Sequence, residues 1–221
     1  MGRFKVIGTT LAVAAGLASL SGCDGDDGKV KVQPSAARPA AGAKDGAAPA
    51  LPLSQDLTWQ GMKLKLPADW KVNGIADPFL CIQPPGGDRC GKVKERNSAL
   101  QISPVGHGYS SWPGEGRMNK KWGWSPGDPP SCMAAGSANS DLADQEKAEI
   151  AVRDLTPLAD GRKAEHREWR VPCRNGKRFV TNVWYLPQSR VVFYVLRDDP
   201  ALAATYQAIV RSADVRGYKR T

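Results

Sequence analysis

The chain has 221 residues and a formal charge of +9, with 31 lysines and arginines against 22 acidic side chains. That length suits one domain or two small ones, and 41% apolar residues suffice for a core. Gly and Pro together make up about 18% of the chain against roughly 12% in average usage, which calls for long loops or a linker. Collagen, coiled coil and polytopic membrane protein are excluded at this level.

The first segment in chain order is an address. Arg3 and Lys5 form a basic start, and Val6 to Leu20 is an uncharged apolar or small run. It is shorter than the roughly 20 residues an ordinary spanning helix needs and has the form of a signal-peptide core. It ends in Leu20-Ser21-Gly22-Cys23, which resembles the lipobox of bacterial lipoproteins. Small residues before the cysteine let an extended peptide enter a peptidase site, and the thiol accepts a diacylglyceryl group as a thioether. The resemblance implies cleavage after residue 22, lipidation of Cys23 and a place on the extracytoplasmic face of the cell membrane, where acyl chains provide stable anchoring. Removing residues 1–22 takes away Arg3 and Lys5 and no acid, leaving a formal +7. A basic exported chain is drawn to anionic headgroups, an anionic wall polymer or another envelope protein, and not to nucleic acid.

Residues 23–53 then read as the lipidated cysteine and a flexible tether. Asp24-Gly25-Asp26-Asp27-Gly28 is followed by Ala, Pro, Gly and Lys without periodicity. The acidic cluster lacks the other calcium-loop positions and the closing Glu, so it predicts a solvated linker. With Cys23 taken by lipid, Cys81, Cys90, Cys132 and Cys173 are an even set in a disulfide-permissive compartment. The favoured pairing is Cys81–Cys90, closing the turn through Pro84-Pro85-Gly86-Gly87, with Cys132–Cys173. Loop entropy would make these worth about 2.5 and about 4 kcal/mol. No CxxC spacing or histidine pair suggests zinc, so no metal and no cofactor is expected.

From Leu57 onward strand patterns dominate a single domain, 54–221. Met62, Leu64 and Leu66 alternate inward, and Pro67-Ala68-Asp69 turns Trp70 back onto their face. Further strands are expected at 79–82, 99–105, 150–155, 163–171, 178–186 and 191–196, with Asn175-Gly176 as a two-residue hairpin turn. Ser137 or Asn139 would cap a helix from 141 to about 147. Asp199 and Pro200 would open a C-terminal helix whose buried stripe is Leu202, Tyr206, Ile209 and Val210. The expected class is α+β, a mostly antiparallel sheet with helices packed on it. Leu66-Pro67-Ala68-Asp69-Trp70 after an amphipathic strand, then Trp184-Tyr185-Leu186-Pro187, a strand and a terminal helix, is similar to the PsbP-like lipoproteins of actinobacteria. The matching stretches are roughly 57–72 and 149–213. The resemblance implies an α/β/α sandwich and a protein-binding or accessory role, with no catalytic residues; the insertion from about Pro104 to Cys132 departs from it.

Chemistry is sparse. Gly123-Trp124-Ser125-Pro126-Gly127 matches G-x-S-x-G, and Asp154 and His166 follow in hydrolase order. A nucleophile elbow needs a helix after Ser, which Asp128-Pro129-Pro130 denies. His166 shares a strand face with Ala164, Glu168 and Arg170, opposite Trp169 and Val171, and is expected in solvent. Glu165 and Glu168 point to opposite faces and cannot form a paired-carboxylate site. The central segment is the candidate contact surface: His107, Tyr109, Trp112, Trp122 and Trp124 are interleaved with Arg117, Lys120 and Lys121. Stacking, cation–π contact and charge suit a sugar, a peptide or an anionic polymer. The bland alternative is that these tryptophans staple the segment to the sheet. The expected function is a non-catalytic, membrane-anchored binding or accessory module. The alternatives are a small envelope hydrolase using Ser125 or His107 and a carrier of an apolar ligand between helix and sheet.

Overall fold

The structure is a computed structural model that describes residues 48–76, 79–87, 98–106, 112–113, 115–124 and 143–219. All of them belong to one compact unit, 43–221. The strands are β1 (Gln55–Trp59), β2 (Met62–Leu66), β3 (Lys71–Ala76), β4 (Phe79–Gln83), β5 (Leu100–Pro104), β6 (Glu149–Pro157), β7 (Lys163–Pro172), β8 (Arg178–Leu186) and β9 (Val191–Val195). The helices are α1 (Glu115–Met118), a single turn, and α2 (Ala203–Arg211), with a 3-10 turn at Gln145–Lys147.

β1 and β2 make a hairpin whose turn, Gln60-Gly61, has positive φ at both residues, 47° and 80°. That is the twist-matched two-residue turn. Gly61 also lies against the C-terminal tail, where a Cβ would meet the Gly217 carbonyl oxygen at 2.0 Å. The other seven strands form one antiparallel sheet in the order β3-β4-β5-β9-β8-β7-β6. β5 and β9 are far apart in sequence yet neighbours at its centre, with Ile102 opposite Phe193.

One face of this sheet carries Leu80, Ile82, Leu100, Ile102, Ala164, Trp184, Leu186, Val191, Phe193 and Val195. It is covered by the β1–β2 hairpin through Met62, Leu64 and Leu66 and by α2 through Tyr206, Ile209 and Val210. Trp70 lands there as its turn requires, edge-on to Tyr206 with ring centroids 5.6 Å apart. The opposite face carries Trp169, Val171, Val183, Tyr185, Val192 and Tyr194, and is covered by Trp112, Met118, Trp124, Ala143 and Ala148.

The expected α+β class is therefore corrected. The described residues are 45% strand and 11% helix, a β-rich fold, and not a sandwich with helices layered on a sheet. The second cover comes from described residues of a Gly- and Pro-rich segment that forms only the single helical turn α1, so Trp112, Met118 and Trp124 supply apolar area that a longer helix stripe would supply. The helix expected at 141–147 is only the 3-10 turn, with 141–142 outside the described residues. α2 begins three residues later than Pro200 suggests: the Asp199 carboxylate accepts the Ala201 N–H at 3.0 Å and holds a turn ahead of the helix. At the β7–β8 connection the Gly176 N–H bonds the Cys173 carbonyl, so Arg174-Asn175 are the central pair and Gly176, with φ +82°, follows them. That is a longer loop than the expected two-residue turn.

Candidate functional site

The face covered by the irregular segment holds the candidate surface. A tight turn spans Arg117 to Gly123: the Lys120 N–H bonds the Arg117 carbonyl and the Gly123 N–H bonds the Lys120 carbonyl, each at 3.0 Å. Gly123 is obligatory, because a Cβ there would lie 1.8 Å from the Arg117 carbonyl oxygen. Two indole hydrogen bonds fasten the turn, the second of them from the sheet. The Trp112 indole N–H donates to the Gly123 carbonyl at 2.7 Å, and the Trp169 indole on β7 donates to the Lys120 carbonyl at 3.1 Å. Trp112 packs edge-on against Tyr194, and Trp124 edge-on against Phe179, with centroids 5.0 and 5.5 Å apart. The Arg197 guanidinium lies 5.6 Å from the far ring of that pair, Phe179, and burial holds it below the ordinary arginine range.

The candidate residues thus divide. Trp112 and Trp124 are 5% and 0% exposed and act as staples, as the bland alternative expects. Trp122 is 47% exposed, with the Arg117 guanidinium 5.4 Å from its ring centroid. Lys120 and Lys121 are exposed beside it. His107 and Tyr109 lie outside the described residues, as do Ser125, Cys23, Cys90 and Cys132.

Sequence reading missed three residues here. The Asn119 side-chain oxygen accepts from Arg153 of β6 at 3.2 Å and from Arg167 of β7 at 3.5 Å. Strand alternation could have placed Arg167 on the Trp169 face, but only the register shows that Arg153 stands directly opposite it.

The hydrolase order does bring two of its three residues together. His166 Nδ1 lies 2.8 Å from Asp154 Oδ1. Its Nε2 is occupied at 2.8 Å by Asn182 Oδ1, while the Asn182 amide donates to Asp198. The ring stacks on Trp184 at 4.8 Å and is 7% exposed, which corrects the expectation of a solvated histidine. That expectation failed because both sheet faces are covered. Trp124, next to Ser125 in the chain, packs on the face opposite His166. Among the described residues no group of three His, Cys, Asp or Glu side chains is placed to hold a metal, and no helix is long and apolar enough to cross a membrane.

No two described cysteines bond each other: Cys81 on β4 and Cys173 after β7 are four strand spacings apart in the sheet. At about 4.8 Å per spacing that is roughly 19 Å, against a Cα limit of about 7 Å for a disulfide.

No protein-family model matches the chain, and no curated protein matches it. The likeness to PsbP-like lipoproteins thus gains no support from either comparison.

Proposed function

We propose that the chain is a membrane-anchored extracytoplasmic lipoprotein and a binding module of the cell envelope, whose contact surface is the Arg117–Trp124 turn. The observation that carries this reading is Trp122, a large aromatic left 47% exposed beside Arg117 on a turn pinned by buried Trp112 and Trp124. An exposed indole on a rigid support loses little conformational entropy on binding, which is why aromatic and arginine anchors dominate contact energies. The Leu20–Cys23 signal supports the exported location. For the four downstream cysteines we retain the pairing Cys81–Cys90 with Cys132–Cys173.

The test uses the full-length chain in zwitterionic detergent, co-sedimented with protein-free cell-wall sacculi that keep their attached polymers. W122A should weaken binding at least tenfold while leaving the unfolding midpoint in place. Equal binding by parent and variant overturns the contact surface. For the anchor, C23A should release the protein from the membrane fraction; retention there overturns lipidation at Cys23. Neither the hydrolase nor the carrier reading is favoured: His166 meets Asp154 but its Nε2 is occupied by Asn182, and the described side chains of α2 pack against those of the sheet.

A further inference from the structure

We propose that the turn is one half of a surface for a phosphodiester polyanion, and that the other half is the sheet edge formed by Arg153 and Arg167. This rests on the turn being the contact surface and names the class of its partner. Arg153 and Arg167 face each other directly across β6 and β7. Like charges in that position destabilise a sheet. Both guanidinium groups reach one neutral acceptor, Asn119 Oδ1, which cannot cancel either charge; Arg167 also donates to the His166 carbonyl at 2.8 Å and is 12% exposed, so the exposed Arg153 is the group that faces outward. Glu165, 3.6 Å from Arg167, is the single carboxylate paired with the group. Among the described residues no carboxylate pairs with Arg117, Lys120, Lys121 or Arg153. Five cations, on the turn, β6 and β7, thus share one side of the sheet with an exposed tryptophan and have one internal counter-charge.

The repulsion is compensated when an external polyanion lies across the surface. Planar guanidinium forks match phosphate oxygens in pairs, and lysines add point charges along the same track. Trp122 offers a face to the sugar or polyol units between phosphates. A neutral glycan would leave the facing arginines uncompensated.

The experiment holds the full-length chain in phosphatidylcholine nanodiscs and titrates it with poly(glycerol phosphate), reading the fluorescence difference between the parent and W122F. R153Q should weaken binding about three- to tenfold and reduce the slope of log affinity against log salt by about one, as for loss of one phosphate contact. Its unfolding midpoint should stay or rise, because the substitution relieves repulsion; a purely structural Arg153 would lower it. Unchanged affinity and slope in R153Q overturn the proposal. If K120Q/K121Q loses binding and R153Q does not, the contact surface stands and the sheet-edge half falls. If none of the variants changes binding, both fall. Equal affinity for an uncharged glycan strand also overturns it. Phosphatidylglycerol nanodiscs separate the sources: a Trp122 signal without polymer identifies headgroup phosphates as the ligand, and a signal only with polymer identifies the wall-type chain.

Discussion

Replacing Gly123 by alanine tests the construction on which the contact surface depends. The added Cβ would lie 1.8 Å from the Arg117 carbonyl oxygen, 2.8 Å from its carbonyl carbon and 3.1 Å from the Lys120 carbonyl oxygen. All three are backbone atoms, so no flexible side chain can swing aside and the turn must open. Opening removes the Gly123–Lys120 hydrogen bond and displaces the acceptors of the Trp112 and Trp169 indoles. At about 1 kcal/mol net for each of these bonds, the loss is about 3 kcal/mol. For a unit of this size about 1 kcal/mol moves Tm by roughly 2–4 °C, so G123A should melt about 6–12 °C lower. Differential scanning calorimetry of the full-length chain measures this, with acrylamide quenching to follow indole exposure. W122A is the reference, since truncating an exposed side chain should cost within about 0.5 kcal/mol. A G123A midpoint within about 2 °C of the parent, with unchanged quenching, would refute the reasoning.

Three further outcomes follow from other parts of the molecule. His166→Phe keeps a ring against Trp184 but strips the partner from the buried Asn182 oxygen, so chemical denaturation should show a loss of about 1–3 kcal/mol; equal stability would mean that the oxygen finds another donor. Burial, with Asp198 and Asp199 nearby, pushes the Tyr206 hydroxyl well above its ordinary value of 10.0. Its stabilising contribution is complete below pH 10 and declines as pH rises further, because the unfolded chain then releases a proton that the folded one keeps. Y206F should flatten the alkaline limb of the stability profile, and an unchanged limb would assign it to other groups. The hydrogen bond from Arg216 lowers Asp214 from 3.8 to about 2. Stability from this group is present above pH 3.8 and lost as pH falls through about 2, so carboxyl NMR should place its midpoint near 2, and R216Q should return it toward 3.8.

The elements came largely from local pattern. Alternation in Met62-Lys63-Leu64-Lys65-Leu66 and the runs at 178–186 and 191–196 state which residues share a face, because side chains alternate with a period of two whatever the strand pairs with. The stripe of Tyr206, Ile209 and Val210 marks a helix face in the same way. Local pattern also marked Arg117, Lys120, Lys121 and Trp122 as candidates, through composition alone. It could not say what covers each face. His166 was placed on the correct face and expected in solvent, since alternation identifies sides and not their burial. The irregular segment has no period at all, so nothing within it separates Trp112 and Trp124 from Trp122. That choice belongs to the sheet, where Tyr194 and Phe179 offer ring edges to two of the indoles, and among the described residues no ring of the sheet receives the third. Likewise Arg153 and Arg167 are 14 positions apart in sequence and ordinary on their own strands. Their opposition is a property of register, which long-range pairing and burial decide together and no single strand encodes.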